Sequence, residues 1–229
     1  MSKELKQAIK REYLKCIDDP VHFMRKYCTI QHPKKGKVKF DLYPFQEKCL
    51  TDFKDNRYNI ILKARQLGIS TLSAGYALWM MLFHNDKNIL VIATGKDTAK
   101  NLVTKVRVMY DNLPQWLKTG TEEINKLSVR FTNGSQIKAI ASNESAGRSE
   151  ALSLLIIDEA AFIDKIGEIW TAAQQTLATG GDCIALSTPN GVGNWFHQQW
   201  VGAESGDNEF NTIRLHWTDH PDRDQSWRD

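Results

Sequence analysis

The sequence predicts an α/β domain built on a mostly parallel β-sheet with helices on both faces. Three observations carry this. From about residue 59 onward, short apolar runs alternate with segments of helical periodicity. Runs such as Asn88–Ala93 (NILVIA) and Leu152–Asp158 are apolar at nearly every position, as strands buried on both faces must be. One strand also runs through a glycine turn directly into a helix, and another ends in two consecutive acids.

The elements follow in order. Residues 2–17 have helical periodicity, with Leu5, Ile9 and Leu14 set among Lys and Glu. A second short helix covers Pro20 to Tyr27, and residues 31–39 (QHPKKGKVK) read as a basic loop. Asn59–Leu62 is a short buried strand, followed by a glycine turn and a helix from about Ser70 to Phe83. A strand at Asn88–Ala93 precedes a helix at Asp97–Leu113. Leu127–Phe131 and Gln136–Ala141 flank Asn133-Gly134, a hairpin signal. Then come a strand at Leu152–Asp158, a helix at Gly167–Ala178, a strand at Cys183–Ser187 and a helix at Asn194–Val201. Phe210–Trp217 alternates like a last strand, and the polar tail DHPDRDQSWRD has nothing to pack.

Composition limits the function classes. A chain of 229 residues can bury one sizeable core. The longest apolar run, Leu72 to Phe83, falls short of the ~20 residues of a membrane span, so no membrane association is expected. The charged N-terminus has no apolar stretch of the secretory kind. The four cysteines, Cys16, Cys28, Cys49 and Cys183, form no CxxC and read as reduced thiols without zinc. The net charge of +3 is uneven. Residues 1–40 carry eleven Lys/Arg against four Asp/Glu, and residues 204–229 carry three against seven. A basic arm suits nucleic-acid phosphates, although a solvated helix face has the same composition.

Residues 63–70 read Lys-Ala-Arg-Gln-Leu-Gly-Ile-Ser. Against the phosphate-loop pattern G-x-x-x-x-G-K-[ST], Gly68 and Ser70 match, Ile69 stands at the usual lysine and Lys63 at the first glycine. Such a loop needs N–H groups curled round an anion, a hydroxyl for Mg²⁺ and a cation near the β- and γ-phosphates. Ser70 supplies the hydroxyl, and Lys63 or Arg65 must supply the cation. Asp158 and Glu159 end an apolar strand, where the crevice of a doubly wound sheet opens. Asp158 is the expected Mg²⁺ ligand and Glu159 the general base that polarises water. Ser187 and Thr188, before Pro189-Asn190-Gly191, are small hydroxyls at another strand end, suited to sensing a γ-phosphate. In Tyr43-Pro44-Phe45-Gln46, the Gln46 amide suits an adenine edge, and Phe45 or Tyr43 a stacked ring. A helix N-terminus with core aromatics accounts for the same four residues. His216 and His220 beside Asp219 read as part of a solvated tail and not as a metal site.

In this order and spacing, YPFQ (43–46), KARQLGIST (63–71), LLIIDEAAFI (154–163) and LSTPNG (186–191) resemble the adenine, Walker A, Walker B and coupling motifs of the large-terminase family of tailed double-stranded DNA phages. The resemblance covers roughly residues 40–217. It implies a P-loop ATPase of the additional-strand, RecA-like type that uses ATP and Mg²⁺ to pump double-stranded DNA. It places Phe45, Gln46 and the run Lys63, Ala64, Arg65, Gln66, Leu67, Gly68, Ile69, Ser70 and Thr71 at the nucleotide, and Ser70 and Asp158 at the metal. Glu159, Lys63 and Arg65 become catalytic, and Ser187, Thr188 and Pro189 couple hydrolysis to motion. Many family members carry lysine where Ile69 stands, and others place it where Lys63 does. Arg148, in SAGRSEA, resembles the arginine that some members offer to a neighbouring subunit's nucleotide, although a salt bridge is its ordinary alternative. The implied partners are a portal or prohead, a small terminase subunit and copies of the chain itself. These copies would form a ring, a pentamer, from a chain that is monomeric in isolation, in the host cytoplasm. Residues 1–40 are expected as a basic arm or lid, 41–217 as the ATPase domain and 218–229 as a linker toward the nuclease domain that family members usually carry. Another nucleic-acid-dependent translocase or helicase, or a nucleotide-binding module without turnover, stays open as an alternative.

Overall fold

A computed structural model of the chain describes residues 2–32, 34–142 and 151–223. Two helices open it, α1 (Lys3–Asp18) and α2 (Pro20–Tyr27). Asp19 joins them, its carboxylate accepting from the Val21 N–H at 2.8 Å as an N-cap, with Pro20 in the first helical position. Next come β1 (Thr29–His32), β2 (Gly36–Lys39) and α3 (Pro44–Asp55). The strand, loop and helix units follow as β3 (Tyr58–Lys63), α4 (Ile69–Phe83), β4 (Asn88–Ala93) and α5 (Lys96–Asp111). The chain continues with β5 (Thr121–Ile124), β6 (Ser128–Phe131), β7 (Gln136–Ala141) and β8 (Leu154–Asp158). It closes with α6 (Ile166–Leu177), β9 (Asp182–Ser187), α7 (Trp195–Ser205) and β10 (Phe210–Leu215).

Eight strands form one sheet in the order β10-β3-β9-β8-β4-β7-β6-β5. From β10 to β7 every pairing is parallel, and β6 and β5 add an antiparallel edge. The additional-strand expectation is met, because β9 lies between β3 and β8. Alternate strand residues face two cores. Ile61, Val91, Ile156 and Leu186 pack in one with residues of α1 to α5, while Ile60, Ile92, Ile157 and Ala185 pack in the other with α6 and α7. The helices therefore cover both faces, and α4, apolar nearly all round, is buried between the sheet and the N-terminal helices.

Several expectations need correction. The basic loop expected over residues 31–39 contains strand at both ends. Thr29–His32 and Gly36–Lys39 pair antiparallel, and Gly36 opens the second strand at φ +70°. The short β5 carries no apolar face, its four residues all being exposed, so periodicity had nothing to detect. The last strand stops at Leu215, and a 3₁₀ turn spans Trp217–Asp219. The N-terminal helices expected as a basic arm or lid pack on the larger core. Cys16, Phe23, Met24 and Cys28 are fully buried in the larger core. Trp79 Nε1 donates to the Cys16 carbonyl at 2.7 Å, and a Cβ on Gly75 would collide with Met24 Cε. The basic residues lie on the outer face, which is why charge suggested an arm and packing shows a built-in layer. All four cysteines are free and buried. No helix among the described residues is long and apolar enough to cross a membrane.

If α2 is integral to the core, Phe23→Ala should destabilise the domain by ~3–5 kcal/mol in chemical denaturation, the range for a buried phenylalanine with an edge-to-face neighbour. Phe23 meets Phe83 at 5.2 Å between ring centroids. A loss under about 1 kcal/mol would mean a loosely docked arm.

Candidate active site

The site lies where β3, β8 and β9 end on the same edge of the sheet. β3 runs through Lys63 into a loop in which Gln66 (φ +58°) and Gly68 (φ +76°) are both left-handed. Gly68 is required twice. Its φ disfavours a side chain, and a Cβ there would lie 2.7 Å from Gln46 Nε2. Helix α4 begins at Ile69, so its first N–H groups have no intrahelical partner. Among the described residues, the N–H groups of Gln66, Leu67, Gly68, Ile69 and Ser70 donate to no protein acceptor. Open amides at a helix N-terminus make an anion cradle.

The Ile69 side chain, at the usual lysine position, is buried in the core and only 1% exposed. Lys63 instead aims its ammonium into the site, where Nζ donates to Glu159 Oε1 at 2.7 Å. The other oxygen, Oε2, accepts from the Thr188 N–H at 3.0 Å, Thr188 Oγ1 at 3.1 Å and Ser187 Oγ at 3.4 Å. Glu159 itself is left-handed at φ +55°, a conformation that turns the chain sharply off β8 into a 3₁₀ turn, Ala160–Phe162. Ser187 Oγ accepts from the Ala161 N–H at 3.1 Å, and Asn190 Nδ2 donates to the Ala161 carbonyl at 2.9 Å. Strand end β9 thus grips the turn that carries Glu159. Asp158 is 6% exposed and accepts from Ser70 Oγ at 3.0 Å.

The two acids are pushed in opposite directions. Burial raises the Asp158 carboxyl above the usual range, against the pull of Lys63 and Ser70. Burial also presses Glu159 upward, but hydrogen bonds from Lys63 and Thr188 outweigh it and hold that carboxyl below its ordinary value. A buried carboxylate paired with a hydroxyl at a helix start fits a hard divalent cation, whose charge would offset the burial. Lys105, on α5, is a further cation within electrostatic reach of Asp158, its ammonium lowered by burial. It lies in an amphipathic helix without a motif, so no local signal points to it.

Most of the expected residues converge here. A cavity of about 570 Å³ is lined by Lys63, Arg65, Gln66, Thr94, Glu159, Phe162 and Thr188. A second, of about 540 Å³, is lined by Tyr43, Gln46, Leu67, Gly68 and Thr71 among others. Ala64, half-buried, leads from β3 into the loop, while Pro189 is exposed just past Thr188. Gln46 is 3% exposed and hydrogen-bonded at both ends of its amide. Its Oε1 accepts from the Tyr43 N–H at 3.1 Å and its Nε2 donates to the Leu67 carbonyl at 3.0 Å. Its amide thereby supports the loop, and the residue also lines the second cavity, at the start of α3. Phe45 stacks on Tyr43 at 5.7 Å. His220 and Arg223, expected in a solvated tail, dock on this side of the site, His220 lying 4.6 Å from the Tyr43 ring. Arg148 lies outside the described residues.

The opposed acids predict opposed effects on the ligand-free fold. A carboxyl held below its unfolded value stabilises above that value, about 4.3 for Glu, and the contribution is lost as pH falls through the folded value. The Lys63–Glu159 pair therefore contributes fully at pH 7. Glu159→Gln should lower stability at pH 7 by on the order of 2 kcal/mol, because it leaves a buried ammonium short of its anion. Asp158→Asn should raise the melting temperature, since it removes an ionised group that burial disfavours. Thermal unfolding at pH 7 checks both, and a lower melting temperature for Asp158→Asn would contradict the burial argument.

Comparison with known proteins bears on the family and the fold. The family described as "Terminase large subunit, T4likevirus-type, N-terminal" matches residues 60–226. The protein described as "Probable terminase, large subunit gp28" of Escherichia phage Mu is 34% identical over 101 residues, 44% of this chain and 18% of that protein. The match thus takes in less than a fifth of that relative's length. Among solved structures, the HK97 bacteriophage large terminase aligns with a TM-score of 0.70 at 18% identity, over 93% of this chain and 46% of that one. A mutant of the Thermus phage P74-26 large terminase ATPase domain aligns at 0.69 and 20% identity, over 82% and 86% of the two chains. The large terminase of another thermophilic bacteriophage, in complex with ATP-gamma-S, aligns at 0.63 and 14% identity, over 80% and 47%. These likenesses establish the fold, and the family match runs from the strand entering the phosphate loop to the segment docked behind it, so that the chain belongs to the terminase large-subunit family of T4likevirus type, in its N-terminal region.

Proposed function

We propose that this chain is the ATP-hydrolysing motor part of a terminase large subunit, which drives double-stranded DNA into a prohead. The observation that carries the reading is the Glu159 carboxylate, held by Lys63 on one side and Thr188 on the other beside an open amide cradle. A module that only binds nucleotide has no use for a carboxylate positioned in this way. Two of the structural relatives, one described as an ATPase domain and the other as an ATP-gamma-S complex, share the fold and support the nucleotide.

In this reading the phosphates of ATP lie on the N–H groups of residues 66–70, with Lys63 and Arg65 neutralising charge at the γ end. Asp158 and Ser70 would hold Mg²⁺, which supplies further charge neutralisation on the phosphate oxygens. Glu159 is ionised at neutral pH and so able to orient a water and accept its proton. The water oxygen bonds to the γ-phosphorus as the bond to the ADP oxygen breaks. Lys63 stands between base and loop. Until a phosphate competes for its ammonium, it keeps Glu159 neutralised, so substrate binding itself frees the base. Thr188 and Ser187 report the state of Glu159 to β9, and Pro189 and the following turn carry it outward. The partners that go with this activity are double-stranded DNA, a portal, a small terminase subunit and further copies in a ring, in the host cytoplasm.

Phosphate release and ATP-gamma-S binding test the assignment together. Glu159→Gln should keep affinity within a few fold and lose turnover by ~10²–10⁴. Lys63→Ala should abolish turnover while Ile69→Ala keeps most of it, and equal loss in a folded Ile69→Ala would sink the relocated-lysine reading. A strand-separation assay beside a DNA-translocation assay distinguishes a helicase.

Arg148 is assigned on resemblance as the residue a neighbour inserts, an effect worth ~10³–10⁵ in rate for such a guanidinium. Arg148→Ala and Glu159→Gln chains should each be inactive alone, and mixing them should restore part of the activity. No rescue at any ratio would make Arg148 a residue that acts within its own subunit or is merely structural.

A further inference from the structure

The carbonyls behind the phosphate loop are capped from a distant part of the chain. Arg223 Nη1 donates to the Arg65 carbonyl at 3.0 Å, and its Nη2 to the Gln66 carbonyl at 2.8 Å. Gln46 Nε2 takes the next carbonyl, that of Leu67. In a trans peptide the N–H and C=O point in opposite directions. These three carbonyls belong to the peptide units whose N–H groups are those of Gln66, Leu67 and Gly68, the open donors of the cradle. A hydrogen bond accepted at the carbonyl polarises the amide and strengthens its N–H as a donor. A charged, forked guanidinium does this more strongly than a neutral amide and fixes two peptide planes at once.

The same segment walls the cavity beside the loop. His220 and Asp222 line the 540 Å³ cavity together with Gln66, Leu67, Gly68 and Thr71. The turn leading there is closed by Asp219, whose carboxylate accepts from the His216 N–H at 2.6 Å. His220 then lies against Tyr43, at the start of α3, the helix whose Gln46 supports the loop. Arg223 and Gln46 thus brace the loop, and His220 packs against the residue that precedes the helix carrying Gln46.

We infer that Arg223 is a positioning residue for the bound nucleotide: it aims the Gln66 and Leu67 N–H groups into the cradle and ties the segment 216–223 to occupancy of the phosphate loop. The inference rests on the nucleotide-binding reading above. It adds a linkage between the two. If the docked segment favours nucleotide binding, bound nucleotide must favour the docked segment by the same factor. The stretch after β10 is then part of the motor's response.

The test measures ATP-gamma-S binding with Mg²⁺ by calorimetry in the wild type, Arg223→Ala and Arg223→Lys, with turnover and amide hydrogen exchange alongside. Arg223→Ala should weaken binding roughly 10-fold, the scale of a charge-assisted pair of hydrogen bonds, and the loss should fall on KM and not on kcat. Arg223→Lys should recover only part, because one ammonium does not span both carbonyls in a fixed fork. Nucleotide should slow exchange at residues 217–223 in the wild type and not in Arg223→Ala. Unchanged affinity in both variants, or a loss confined to kcat, would overturn the role of Arg223 while leaving nucleotide binding intact. A wild-type chain that binds no ATP-gamma-S would overturn both readings.

Discussion

The ion pair between Lys63 and Glu159 is the contact on which the rest of the site depends. Lys63 ends β3 and Glu159 follows β8, yet β9 lies between those strands. The pair therefore bridges over the end of β9, and Thr188, just past that end, completes the carboxylate's shell. Three strand ends must arrive at one level for this to happen. The parallel register delivers it, with Leu62 opposite Ser187 and Asp158 opposite Leu186. Shifting any of the three strands by one residue would send the functional side chain to the opposite face.

The two cores serve this arrangement unequally. The face covered by α6 and α7 fixes the turn after β8 through Ala160 and Ala161, which belong to that core. The other face buries Leu67 and Ile69 and so anchors the phosphate loop in the larger core. Ile69 shows why the usual lysine is absent. Its side chain belongs to the packing of α4, so the cation has to enter from the strand side. The loop is thus hydrophobically pinned on its helix side and electrostatically set on its strand side.

Burial also divides labour between the adjacent acids. Asp158 sits deeper, and the pull of Lys63, Ser70 and Lys105 does not outweigh its burial. Glu159 turns outward through its left-handed backbone and gathers donors from Lys63 and Thr188. One carboxylate is left wanting positive charge and its neighbour is held ready as an anion. Such a division is expected where two titratable groups have different roles at one site.

Local pattern sufficed for much of this protein. The alternation of apolar strands and helices, the Asn133-Gly134 hairpin, the phosphate loop and the two acids after β8 are all features of neighbouring residues, written in short windows of sequence. Lys63, Asp158, Glu159, Ser70 and Thr188 were legible for that reason, since each stands at a strand end or helix start that its own segment defines. Tertiary structure alone decided what depends on distant segments meeting. The N-terminal helices looked like a basic arm because charge is visible in sequence and the fit of Met24 against Gly75 is not. The Gln46 amide was evident in the sequence, and the Leu67 carbonyl that it meets was not. The polar tail offered no hint of docking, because Arg223 binds backbone carbonyls some 158 positions away, and every residue has a carbonyl. A contact made to the main chain leaves no mark on the identity of its partner, and so no local reading of the sequence can find it.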